Sequence, residues 1–189
     1  MDKKNNTQWL TAFCTAMRLE LAGNKKKPEF VTEHNINTKP VMTDLLIIRK
    51  SPDIRIHNEI GKIFRGHNLF EYKSPGDKMG IETFLKSFGY ACLYLAHADT
   101  AGKIREGDVT ISLVREGKPK KLIKQLTRKG FPVKKEGKGI YHVCGLRFFT
   151  IQIIVCSELD KDEYIWLKSL TEALEKETAE KLILTIGSQ

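Results

Sequence analysis

From about Thr7 to Gly23, apolar residues recur every three to four positions. Trp9, Leu10, Phe13, Met17 and Leu21 mark one face of a helix, with Thr7 as its N-cap and Gly23-Asn24 as its stop. Phe30 to Asn37 alternates imperfectly, as an edge strand does, and Lys39-Pro40 breaks it. Val41 to Lys50 carries the unbroken run Leu45-Leu46-Ile47-Ile48, the mark of a strand covered on both faces, with Asp44 at its start. Ile54 to Arg65 fits either period and reads as a short helix ended by Gly66. Asn68 to Lys73 reads as a strand through Leu69, Phe70 and Tyr72, cut off at once by Ser74-Pro75-Gly76-Asp77.

The second half continues the alternation. Gly80 to Ala98 has the widest apolar helical face, through Ile81, Phe84, Leu85, Phe88, Ala91 and Leu95. Asp108 to Val114 predicts a strand, and Pro119 to Lys129 a short helix crowded with cations. Ile140 to Cys144 and Phe148 to Cys156 predict strands joined near Gly145. Leu159 to about Lys176 predicts a helix, and Leu182 to Ile186 is too short to assign. No repeat and no linker divides the chain, so residues 1–189 are expected to form one α/β domain.

Composition narrows the class. Of 189 residues, 41% are hydrophobic and 29% charged, which suits a globule with a sizeable core. The formal charge of +9 favours polyanionic partners, because cations that meet phosphates release counterions. Solubility alone is the competing explanation of that charge. The four cysteines, Cys14, Cys92, Cys144 and Cys156, form no Cys-x-x-Cys pair, and the five histidines show no zinc spacing. No apolar run is long enough to span a membrane, and the N-terminus lacks a signal-type core, so a cytoplasmic protein without a membrane partner is expected.

Candidate chemistry centres on Glu71-Tyr72-Lys73. Side chains i and i+2 of a strand share a face, so the carboxylate and ammonium point the same way, about 7 Å apart along it. Such a pair at a strand end suits binding of a divalent cation and control of a water; it equally suits a surface ion pair worth little. The order around it decides in favour of a site: helix, edge strand, strand beginning at Asp44, strand with Glu71-x-Lys73, long helix, strand.

In that order, over roughly residues 7 to 115, the chain resembles the PD-(D/E)XK nuclease superfamily, whose restriction-endonuclease-like core is an αβββαβ unit. Asn58-Glu59-Ile60-Gly61 through Glu71-Tyr72-Lys73-Ser74-Pro75 also resembles a bacterial family of small proteins assigned to this nuclease class. The resemblance implies a mixed central sheet flanked by helices, with a C-terminal α/β extension from about residue 116. It also implies Asp44 and Glu71 as ligands of Mg²⁺ or Mn²⁺, Lys73 as the catalytic lysine, and Glu20 from the first helix as a further acid. Glu59 is a further acid close to the motif in sequence. Asp44 is not preceded by proline, and the stretch from Asp44 to Glu71 exceeds a simple hairpin.

The expected function is metal-dependent phosphodiester hydrolysis on DNA; the alternative is a catalytically silent nucleic-acid-binding or assembly module on the same fold. Many proteins of this architecture act as homodimers, so a homodimer is an open expectation. Lys118, Lys120, Lys121, Lys124, Arg128 and Lys129 are the candidate phosphate-facing strip, with a merely solvated helix as the other reading.

Overall fold

The computed structural model describes residues 3–24, 26–32, 45–96 and 103–187. Within them the protein is α/β, with a seven-stranded mixed sheet flanked by helices on both faces. The chain runs α1 (Lys3–Glu20), β1 (Glu29–Thr32), β2 (Leu45–Arg49), β3 (His67–Lys73), α2 (Ile81–Ala96), β4 (Val109–Arg115), α3 (Lys120–Arg128), β5 (Val133–Gly137), β6 (Ile140–Val143), β7 (Thr150–Val155), α4 (Ile165–Lys168) and α5 (Lys176–Gly187). The spatial order is β1-β2-β3-β4-β7-β6-β5. β1, β2 and β3 form an antiparallel meander, β3, β4 and β7 run parallel, and β7, β6 and β5 return to antiparallel. Strands from both halves of the chain thus share one sheet.

Side-chain alternation sends the apolar material to two cores. Ile48, Phe70, Tyr72, Val114 and Ile154 meet α1, α4 and the 3-10 turn Ile60–Ile63 on one face. Ile47, Leu69, Ile111, Leu113 and Ile153 meet α2 and α3 on the other. Phe13 of α1 stacks on Tyr72 with ring centroids 4.6 Å apart and fixes how α1 lies on the sheet. On the α1 face the buried Asn68 donates to the carbonyls of Ile48 and Arg65 at 2.9 and 2.8 Å. Its Oδ1 accepts from the Arg65 N–H and the Thr110 hydroxyl. Gln152 donates to the Ile60 carbonyl and ties the 3-10 turn down. The Asn68 amide finds partners for both its donors and its acceptor, as a buried polar group demands.

Several expectations are corrected. α1 begins at Lys3, so Thr7 lies inside the helix and is not its cap. Ile54 to Arg65 forms only the single turn Ile60–Ile63, held by the Asn58 side chain accepting from the Gly61 N–H. The helix expected over Leu159 to Lys176 shrinks to Ile165–Lys168. Asp160 accepts the Asp162 N–H in its side chain, a local bond that competes with helix formation. β5 has no counterpart in the hydrophobic pattern, because Lys134, Lys135 and Glu136 on this edge strand are exposed. The last segment is a helix, α5, rather than an unassigned tail.

Candidate functional site

β3 is an interior strand of the sheet, next to the central strand β4. Its neighbours are β2, with Leu45 opposite Glu71, and β4, with Leu113 beside Glu71 and Arg115 beside Lys73. Phe70 and Tyr72 take the α1 face, which leaves Glu71 and Lys73 on the face that α2 covers. Glu71 is 1% exposed, and its Oε1 is 3.0 Å from the Lys73 ammonium. Lys86, projecting from the middle of α2, reaches the same oxygen at 3.2 Å. Lys73 and Lys86 keep 18% and 34% of their side-chain surface, so both stems lie against protein while the ammonium groups stay near water. A buried carboxylate is tolerated only when paired and hydrogen-bonded, and here two cations share it.

β3 ends in a tight turn in which the Asp77 N–H donates to the Ser74 carbonyl at 3.0 Å and Gly76 takes a positive φ of 83°. The turn delivers the chain to the start of α2. Beyond it, at the carboxyl ends of the parallel strands β3 and β4, lies a cleft of about 420 Å³. Open α/β sheets bind ligands at that end of their strands. Lys78 and Gly80 line the cleft from the α2 side, Arg115 from β4, and Lys118, Lys120 and Lys121 from the start of α3. Lys118 donates to the Tyr141 hydroxyl at 2.8 Å, and this bond holds its pKa above the ordinary lysine value. Lys86 lies six residues into α2 from Gly80, about 9 Å along the helix, so the triad and the cleft are neighbours.

The predicted site residues fall in three places. Glu71 and Lys73 come together; Asp44 lies outside the described residues. Glu20 and Glu59 lie on the opposite face of the sheet. Glu20, at the end of α1, accepts the Leu167 N–H at 3.0 Å, and burial pushes its pKa up to about 7. Glu59 donates its N–H to the Tyr164 hydroxyl, and its carboxylate pairs with Lys62. Lys120, Lys121, Lys124, Arg128 and Lys129 are exposed at α3, whose buried side is Leu122 and Leu126. Lys120 and Lys121 also line the cleft.

No protein-family model matches the chain, and no curated protein or solved structure does. Among the described residues no helix is long and apolar enough to cross a membrane, and no three His, Cys, Asp or Glu side chains gather to hold a metal ion.

Sequence reasoning missed Lys86, Lys78 and Arg115. Lys86 had a signal: it and Glu82 are the only charged residues of α2. Arg115 had none, because only the parallel pairing of β3 with β4 sets it beside Lys73.

Proposed function

We propose that the protein is a metal-dependent phosphodiesterase of the nuclease type acting on DNA, on a PD-(D/E)XK-like core. The observation that carries this reading is the near-fully buried Glu71 carboxylate, shared by Lys73 and Lys86, one strand from a cleft lined by cations. The order α1, antiparallel β1-β2-β3, α2, then β4 parallel to β3, is the αβββαβ order that the resemblance implies and supports it.

In this reading Glu71 and Asp44 would hold Mg²⁺. Glu71 fits as a hard oxygen ligand, and Mg²⁺ commonly needs only one or two carboxylates, with water and substrate phosphate completing its shell. The bound ion would supply charge stabilisation at phosphorus and a more acidic water. Lys73, paired with Glu71, would assist the attacking water, and the cations of the cleft and α3 would hold substrate phosphates.

The test is incubation of linear, plasmid and single-stranded DNA with Mg²⁺, Mn²⁺ or EDTA. Cleavage that needs the metal and falls about a hundredfold or more in Lys73→Ala is the expected result. Metal-dependent cleavage that survives in both Asp44→Asn and Glu71→Gln overturns the residue assignment.

A second reading, a silent nucleic-acid-binding module, is favoured by one observation: Lys73 and Lys86 already neutralise Glu71. It predicts salt-sensitive DNA binding without turnover, weakened more by Lys120→Ala/Lys124→Ala than by Lys73→Ala.

A further inference from the structure

The start of α3 is built against its own dipole. The N-terminal end of a helix carries partial positive charge and favours carboxylates. α3 has no acid in its first turn and no side-chain cap, and it begins Lys120-Lys121 with Lys118 just before it. Some surface lysines find carboxylates, as Lys26 does with Asp53, Lys62 with Glu59, Lys138 with Asp160 and Lys161 with Glu177. Others, such as Lys124 and Lys135, stand apart in solvent; what sets the cleft off is that its cations converge. Among the described residues Lys78, Arg115, Lys120 and Lys121 have no such partner, and the buried Nε of Arg115 has no hydrogen bond. All four line the same cleft, against one acid, Glu82. A local rule broken this way marks a place where something other than the fold is being served.

We propose that this cleft binds a phosphomonoester dianion, the terminal phosphate of a nucleic-acid strand. That the occupant is a strand end rests on the nucleic-acid reading above; the chemistry of the cleft does not. A phosphodiester carries one charge per nucleotide, so a track for the middle of a strand spreads its cations along the backbone. Here four unpaired cations converge on about 420 Å³, which suits a doubly charged end group. Lys124 and Arg128 continue from the cleft along α3. That helix is about 13 Å long, enough to meet the next phosphates of the strand. The cleft takes the end, and α3 takes the phosphates that follow.

Fluorescence anisotropy in EDTA separates binding from turnover. The probes are one short single-stranded oligonucleotide bearing a 5′-phosphate, a 3′-phosphate or only hydroxyl ends, with AMP and inorganic phosphate as competitors. One phosphorylated form is expected to bind about tenfold or more tightly than the hydroxyl-ended form. Lys120→Ala/Lys121→Ala removes that preference and lowers the salt slope by about 1.4. Lys78→Ala, from the other wall, reduces the preference independently and guards against a folding artefact. Equal affinity for all three ends overturns the proposal and leaves DNA binding standing. AMP binding seen by calorimetry and lost in the double variant, without oligonucleotide binding, supports the phosphomonoester site and removes the nucleic-acid reading. Failure of every probe to bind overturns both.

Discussion

Replacing Glu20 by glutamine decides whether this carboxyl joins two helices or serves a metal. Its Oε1 accepts the Leu167 N–H at the seam between α1 and α4, and burial raises its pKa from 4.5 to about 7. The backbone N–H groups of Leu167 and Trp166 oppose that rise without cancelling it. A carboxyl whose folded value exceeds its unfolded value stabilises the fold fully below the unfolded value and loses that contribution as pH rises through the folded one. The window is therefore pH 4.5 to about 7. At about 1.36 kcal/mol per pH unit the ceiling is near 3 kcal/mol, and partial solvent access lowers it to about 2 kcal/mol. Glutamine keeps an oxygen for the Leu167 N–H and brings no charge to desolvate. In urea unfolding, Glu20→Gln should be more stable than the parent by about 2 kcal/mol at pH 8, with the two converging near pH 4.5. The melting temperature at pH 8 should rise by about 4–8 °C. Identical pH profiles for the two proteins would refute the reasoning. Metal-dependent cleavage, where observed, should be unchanged.

Three further outcomes follow from the packing. Because Lys73 and Lys86 share one Glu71 oxygen, Lys73→Met and Lys86→Met should each cost about 1 kcal/mol, while the double variant costs about 3–5 kcal/mol. Strict additivity in a urea double-mutant cycle would show that the carboxylate is not shared. Asn68→Ala removes bonds to Ile48, Arg65 and Thr110 and should destabilise by about 3 kcal/mol, with faster hydrogen exchange at the Arg65 amide. Gly139 has φ +71°, and a Cβ there would lie 2.7 Å from the Val155 carbonyl oxygen and 2.8 Å from the Leu159 nitrogen. Gly139→Ala should cost about 2–4 kcal/mol, whereas Gly130→Ala, at φ +84° in open space, should cost about 1 kcal/mol. Equal losses in thermal melts would show that backbone strain, not the close approach, dominates.

The chain by itself determined the elements whose apolar period is strong and whose ends are punctuated. α2, β3, β4, α3 and β7 were legible, because a buried stripe and a turn signal are both local facts. The pairing of Glu71 with Lys73 on one face was legible too, since it needs only the two-residue period of a strand. Polar β5 was not, because an edge strand is made by its neighbour β6 and not by its own hydrophobicity. The shortening of the Leu159–Lys176 helix was hidden because an Asp160 side-chain bond outweighed a weak helical preference. Only the tertiary structure decided which carboxylates meet. Glu20 and Glu71 both looked available in one dimension, yet the sheet lies between them, and α1 covers one face while α2 covers the other. It also brought Lys86, Arg115 and Lys78 to the Glu71 end of β3, through a helix crossing, a parallel register and a turn that no local pattern encodes.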